Sequence, residues 1–181
     1  MKGFVLGILV TLAAALAAAY FFISTGALPA GQDVKPGGLE KWIAKTSLRA
    51  TIGRQTKGVT DPLPPTDDNL AAGVPLYVAH CQICHGGPDG AASAIAKGLS
   101  PAPPQLAQHG VEDDPEAMTH WKISHGIRFT GMPGFGQTLS DREIWQLTLF
   151  LKRMDSLPPG ARDAWASGRS GPGIAPARPT P

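Results

Sequence analysis

Five consecutive residues, Cys81-Gln82-Ile83-Cys84-His85, carry the most specific chemistry in this sequence. Two thiols one helical turn apart can each add to one vinyl group of a porphyrin. The histidine after the second can then coordinate the iron from the proximal side, and this spacing is that of covalent haem attachment. Covalent bonds hold a large apolar cofactor in a domain too small to retain it by burial, and the cofactor supplies part of the core. Other chemistries use the same cysteines. A thiol–disulfide protein would place Cys-x-x-Cys in a βαβ pattern, which is missing here. A zinc site needs four ligands, so two histidines would have to join the two cysteines. A disulfide across two intervening residues is a further reading. With only two cysteines in 181 residues, a disulfide scaffold and any four-cysteine cluster are excluded.

A second ligand is offered by the loop Gly131-Met132-Pro133-Gly134-Phe135-Gly136, with Met132 standing 47 residues after His85. A methionine between glycine and proline is poorly explained as core packing. Glycine permits close backbone approach and proline stiffens the loop. The thioether sulfur is a soft, neutral ligand for haem iron, and His/Met ligation raises the reduction potential. Met118 and Met154 fall at helical core positions. His80, His109, His120 and His125 are alternative sixth ligands, and His125 is the strongest rival because it precedes the same loop.

The elements that must position these residues read as helices. Thr66 or Asp67 caps a helix running toward Cys81, with Leu70, Val74 and Tyr77 on one face. Pro75 removes a backbone donor inside it, so a kink or restart is expected there. Asp114 caps a second helix, with Pro115 at its first position and Gly126 as its end. Ser140-x-x-Glu143 is a capping box opening a third helix through about Met154. That helix is apolar nearly all round, so it should be buried on more than one side. No stretch alternates as a strand does, and the domain reads as all-α.

Outside the domain, Gly3 to Ile23 carries no charge. Its length of roughly 30 Å matches one hydrocarbon thickness, which makes residues 1–23 a transmembrane anchor or an uncleaved signal sequence. A cleaved signal peptide would usually have a shorter apolar stretch. Residues 24–65 form a basic, proline-containing connector of net +3. In it Leu39, Trp42 and Ile43 lie near Lys41, Lys45 and Arg49, compatible with a short helix on an anionic bilayer or with a solvated linker. Residues 66–156 make the domain, with ten acids against six bases and a net charge of −4. Residues 157–181 are rich in Pro and Gly and are expected to be a disordered tail, with Trp165 its one aromatic residue. Gly 22 and Pro 18 in the whole chain imply long irregular stretches, and a net charge of +2 excludes a strong overall field for nucleic acid.

With the attachment motif and the methionine loop in place, residues 66–156 resemble the class I cytochrome c family. Gly73-x-x-x-Tyr77 looks like the family's first helix, where a small residue and an aromatic meet the last helix. Leu147 and Phe150-Leu151-Lys152-Arg153 look like the matching face. Pro104-Gln105-Leu106 is similar to a family segment whose proline carbonyl accepts a hydrogen bond from the proximal histidine, here His85, although Pro103 is adjacent. Thr130-Gly131-Met132-Pro133 resembles the axial-ligand loop. The resemblance implies an all-α domain around one haem c, bound through Cys81 and Cys84, with His85 and Met132 on the iron and Pro104 and Leu106 beside it. Pro75 and the flanking segments depart from the common domain. Those flanks look like membrane-tethered bacterial monohaem cytochromes.

The function implied is single-electron transfer between redox protein partners, not catalysis on a substrate, either as a separate carrier or as the cytochrome subunit of an oxidoreductase complex. The N-terminal helix would tether the chain to the bacterial inner membrane with the haem domain in the periplasm. The alternative is a haem-based sensor or small haem enzyme with a displaceable sixth ligand.

Overall fold

A computed structural model describes residues 1–28 and 30–168, in two units, Met1–Lys35 and the chain from Pro36 onward. In the first unit, α1 (Lys2–Ser24) has no buried residue and is long and apolar enough to cross a membrane. In the second unit the helices are α2 (Gly38–Gln55), α3 (Asp67–His80), α4 (Gln82–His85), α5 (Ala94–Lys97), α6 (Glu116–His125), α7 (Asp141–Lys152) and α8 (Pro159–Ala166). The described residues contain no strand.

The crossing of α3 and α7 organises the domain. Val74, Tyr77, Leu147 and Phe150 are fully buried there. Gly73 sits where the two backbones come closest. A Cβ on it would stand 2.5 Å from the Gln146 carbonyl oxygen and 2.6 Å from Phe150 Cβ. Only glycine permits that approach. Buried Asn69 ties the same crossing with polar bonds. Its amide donates to the Pro64 carbonyl at 2.9 Å, and its Oδ1 accepts from Arg142 and Gln146 at 3.2 Å each. A polar group buried without such partners would destabilise the fold.

Thr66 caps α3, accepting from the Asn69 N–H at 3.4 Å. The helix runs through Pro75 as one element, without the restart that was the alternative to a kink there. Proline removes one intrahelical bond, and the buried residues on either side, Val74, Leu76 and Tyr77, hold the helical course. The Ser140–Glu143 capping box is present at the start of α7. The start of α6 differs from the sequence reading. Pro115 itself occupies the cap, without a side-chain bond, and the Asp114 carboxylate instead pairs with Lys122 at 2.9 Å.

Two flanks depart from expectation. The connector contains α2, whose end docks on the domain: Ile52 is buried and Gln55 Oε1 accepts from the Trp121 indole at 2.5 Å. Its opposite end leaves Leu39, Trp42 and Ile43 exposed. The second departure is the tail expected from Leu157 onward. Residues 159–166 form α8, which packs on α3, with Leu157, Ala161 and Trp165 buried. Prolines at the helix start are compatible with its first turn, and three apolar side chains on one face supply the burial that composition alone concealed. Residues 169–181 of that expected tail lie outside the described residues.

Replacing Gly73 by Ala should lower stability by about 1–3 kcal/mol, because a methyl must force two backbones apart. Denaturant unfolding measures it, and a wild-type midpoint would contradict the close crossing.

Candidate haem site

Cys81 closes α3, its N–H bonding the Tyr77 carbonyl at 2.8 Å, and Cys84 and His85 follow in the single turn of α4. The thiols are half-buried and not joined to each other. With His80 and His85 they line an apolar cleft of about 720 Å³, counting its open mouth. Burial, and less strongly the neighbouring Cys84, pushes the Cys81 thiol up to about 12. A redox-active cysteine is held the other way, as a thiolate.

His85 is fixed from several directions. Its Nδ1 lies 2.9 Å from the Pro104 carbonyl. A carbonyl oxygen only accepts, so Nδ1 carries the proton and Nε2 keeps its lone pair for a metal. Burial lowers the His85 pKa, which the Pro104 bond partly opposes. The imidazole is therefore held neutral, as a ligand must be. The main chain of His85 is also tied: its carbonyl accepts from the Leu106 N–H at 3.0 Å and from the Tyr77 hydroxyl at 3.2 Å. Gln105 Nε2 donates to the Cys84 carbonyl at 3.1 Å and to the Pro103 carbonyl at 3.2 Å. Of the two adjacent prolines, Pro104 meets the imidazole and Pro103 meets Gln105. Leu106 is buried in the core.

The end of α6 and the loop after it also line the cleft, through Ile123, Ile127, Met132 and Phe135. The last carbonyls of a helix lack intrahelical donors. Here Phe135 and Gly136 N–H groups satisfy Ile123 and Ser124 at 2.9 and 3.0 Å, folding the loop back over the helix end. Gly126 has φ +69° and crosses the loop so closely that a Cβ would stand 2.6 Å from the Gly134 nitrogen. Within the loop, Thr130 Oγ1 accepts from the Met132 N–H at 3.1 Å, and the Ile127 N–H bonds the Met132 carbonyl at 3.2 Å. Met132 is thereby set into the cleft half-buried.

The rival histidines separate. His125 turns away, its ring stacked on Trp121 at 4.6 Å and its Nδ1 bonded to the Trp121 carbonyl at 3.1 Å. His120 stacks on Trp145 and bonds Asp141 at 3.0 Å, while His109 is exposed. His80, not His125, is the histidine that shares the cleft, packed against Phe135 at 5.6 Å. Sequence reasoning missed the roles of Gln105 and Asn69. Glutamine and asparagine carry no periodic signal, and only the fold brings them to their carbonyls.

An all-helical domain in which two thiols, a neutral imidazole and a thioether line one apolar cleft has the donor chemistry of a haem site. The chain's residues 68–151 match the family model described as cytochrome C oxidase, cbb3-type, subunit III. This part of the chain is a class I c-type cytochrome domain, whose cofactor is covalently bound haem c and whose role is electron transport. Comparison with curated proteins and with solved structures gave no match.

Gly126→Ala combines a left-handed backbone with a backbone clash, each worth about 1–3 kcal/mol. It should lower the denaturation midpoint more than Ala at Gly53, where nothing lies within 4 Å. Equal effects would contradict the loop crossing.

Proposed function

We propose that the protein is a membrane-tethered single-electron carrier, with haem bonded to Cys81 and Cys84 and His85 and Met132 as its iron ligands. The observation that carries this reading is the cleft itself. Both thiols, a proton-committed His85 and Met132 all line it. When bound, haem supplies one-electron ferric–ferrous chemistry. The protein's part is to hold both ligands and keep water out. His85 is fixed at ring and main chain, and Met132 by the loop's own hydrogen bonds, so little need rearrange between the two redox states. The high thiol pKa of Cys81 speaks against a thiol–disulfide role.

Partners would meet the face around the cleft. Ile83, between the two cysteines, and Ile95 are exposed, and Phe129, 89% exposed, stands three residues before Met132 with the Arg128 guanidinium 5.7 Å from its ring centre. Phe129 holds φ +62°, the left-handed region, and is the one non-glycine residue to do so among the described residues. An apolar centre of this kind suits a small, transient redox interface. The domain's −4 charge favours partners with a basic surface. The matched family's description, an oxidase subunit, supports a place beside or within a larger oxidoreductase complex. The α1 helix would anchor the chain in the bacterial inner membrane, with the haem domain in the periplasm. The tether would raise the effective concentration for partners in the same membrane.

Two outcomes follow. The purified reduced protein should show a low-spin c-type spectrum unchanged by carbon monoxide, and Met132→Ala should bind the gas readily. Carbon monoxide binding by the unmodified protein would instead favour a sensor or enzyme with a displaceable ligand. Electron transfer to membranes containing a terminal oxidase should slow as ionic strength rises, and a salt-independent rate would overturn charge-guided docking.

A further inference from the structure

The α8 helix lies beyond the matched segment, yet it reaches the haem-binding peptide through two aromatic rings. Trp165 is 7% exposed and meets the Tyr77 ring edge-on, with centroids 5.1 Å apart and planes at 87°. It also meets Phe150 at 5.5 Å, and Phe150 meets Tyr77 at 5.4 Å. The three rings close a triangle in the core. Leu157 and Ala161, both buried, seat the helix, and Arg162 donates to the Leu157 carbonyl at 2.8 Å.

At the far end of its ring, Tyr77 does something other than pack. Its hydroxyl donates to the Gly86 carbonyl at 2.9 Å and reaches the His85 carbonyl at 3.2 Å. Burial raises the phenol pKa, so the hydroxyl keeps its proton and remains a donor. One hydroxyl serving two successive carbonyls needs a fixed ring position. Trp165 and Phe150 set that position from the sides.

We propose that Trp165 is a positioning residue for the proximal histidine, acting through Tyr77 to hold the His85–Gly86 main chain. The inference rests on the haem-ligand reading of His85 above. Without the indole, the Tyr77 ring loses its lateral support and water competes for the two carbonyls. The peptide carrying His85 then loosens beside the iron. A more hydrated, less fixed proximal side favours the ferric state, so the reduction potential falls.

The test is a spectroelectrochemical titration of the full-length haem protein, with covalent haem content measured for each variant. Trp165→Leu keeps apolar volume without the ring, and Trp165→Phe keeps a ring. The expected result is a lower potential for Trp165→Leu and for Tyr77→Phe, near-complete rescue by Trp165→Phe, and no further fall when Trp165→Leu is added to Tyr77→Phe. A potential unmoved in Trp165→Leu, whatever its melting temperature, overturns the inference. So do shifts that add in the double variant, since Trp165 would then act independently of Tyr77. Absence of covalent haem from the unmodified protein overturns the haem-ligand reading and this inference together. Normal haem with an unmoved potential overturns this inference alone.

Discussion

A histidine can serve iron with either ring nitrogen, and which one is free depends on where the other nitrogen's proton goes. In this protein the Pro104 carbonyl takes it, at 2.9 Å from Nδ1. Most of the domain can be understood from that requirement. The Pro104 carbonyl must be presented to α4, so the segment 103–106 is laced to residues 84 and 85 by Gln105 and by the Leu106 N–H. The α4 turn must itself be fixed, so it follows α3 directly and hangs from the Tyr77 hydroxyl. α3 in turn is held by α7, at a contact close enough to demand Gly73. Each support acts on the one below it, and a change anywhere in the series reaches the imidazole.

The part of the cleft that carries Met132 is built by different means. A loop carries Met132, and loops are ordinarily the less stable parts of a fold. Here the loop doubles as the cap of α6, because its N–H groups satisfy carbonyls that the helix end leaves open. The Gly126–Gly134 crossing brings backbone against backbone. A thioether is a weak ligand, and a loop that needs no ligand to hold its shape can present one without a large ordering cost.

The chemistry was legible in the sequence to different depths. Cys81, Cys84 and His85 fall within five residues, so their spacing alone carried the reading. Met132 stood out because its glycine and proline neighbours fit a core poorly, and the fold brings it to the same cleft as His85. The helices were visible through Thr66, Ser140–Glu143 and the apolar run of α7. What failed was legible only in three dimensions. Composition marked the region after Leu157 as a tail, yet a short amphipathic turn buries Trp165 against Tyr77. His125 is the nearest rival ligand by position in the chain, but stacking on Trp121 turns it away and leaves His80 in the cleft. The choice between Pro103 and Pro104 was open for the same reason. Both carbonyls exist in the sequence, and only folding decides which one faces the ring.

The central claim is that the iron is held by His85 and Met132. Near-infrared magnetic circular dichroism of the ferric protein tests it most directly, because thioether and imidazole ligands opposite a histidine give charge-transfer bands at different energies. A histidine–methionine spectrum that is lost in Met132→Ala is the predicted result. A bis-histidine spectrum in the unmodified protein, abolished by His80→Ala, would contradict it.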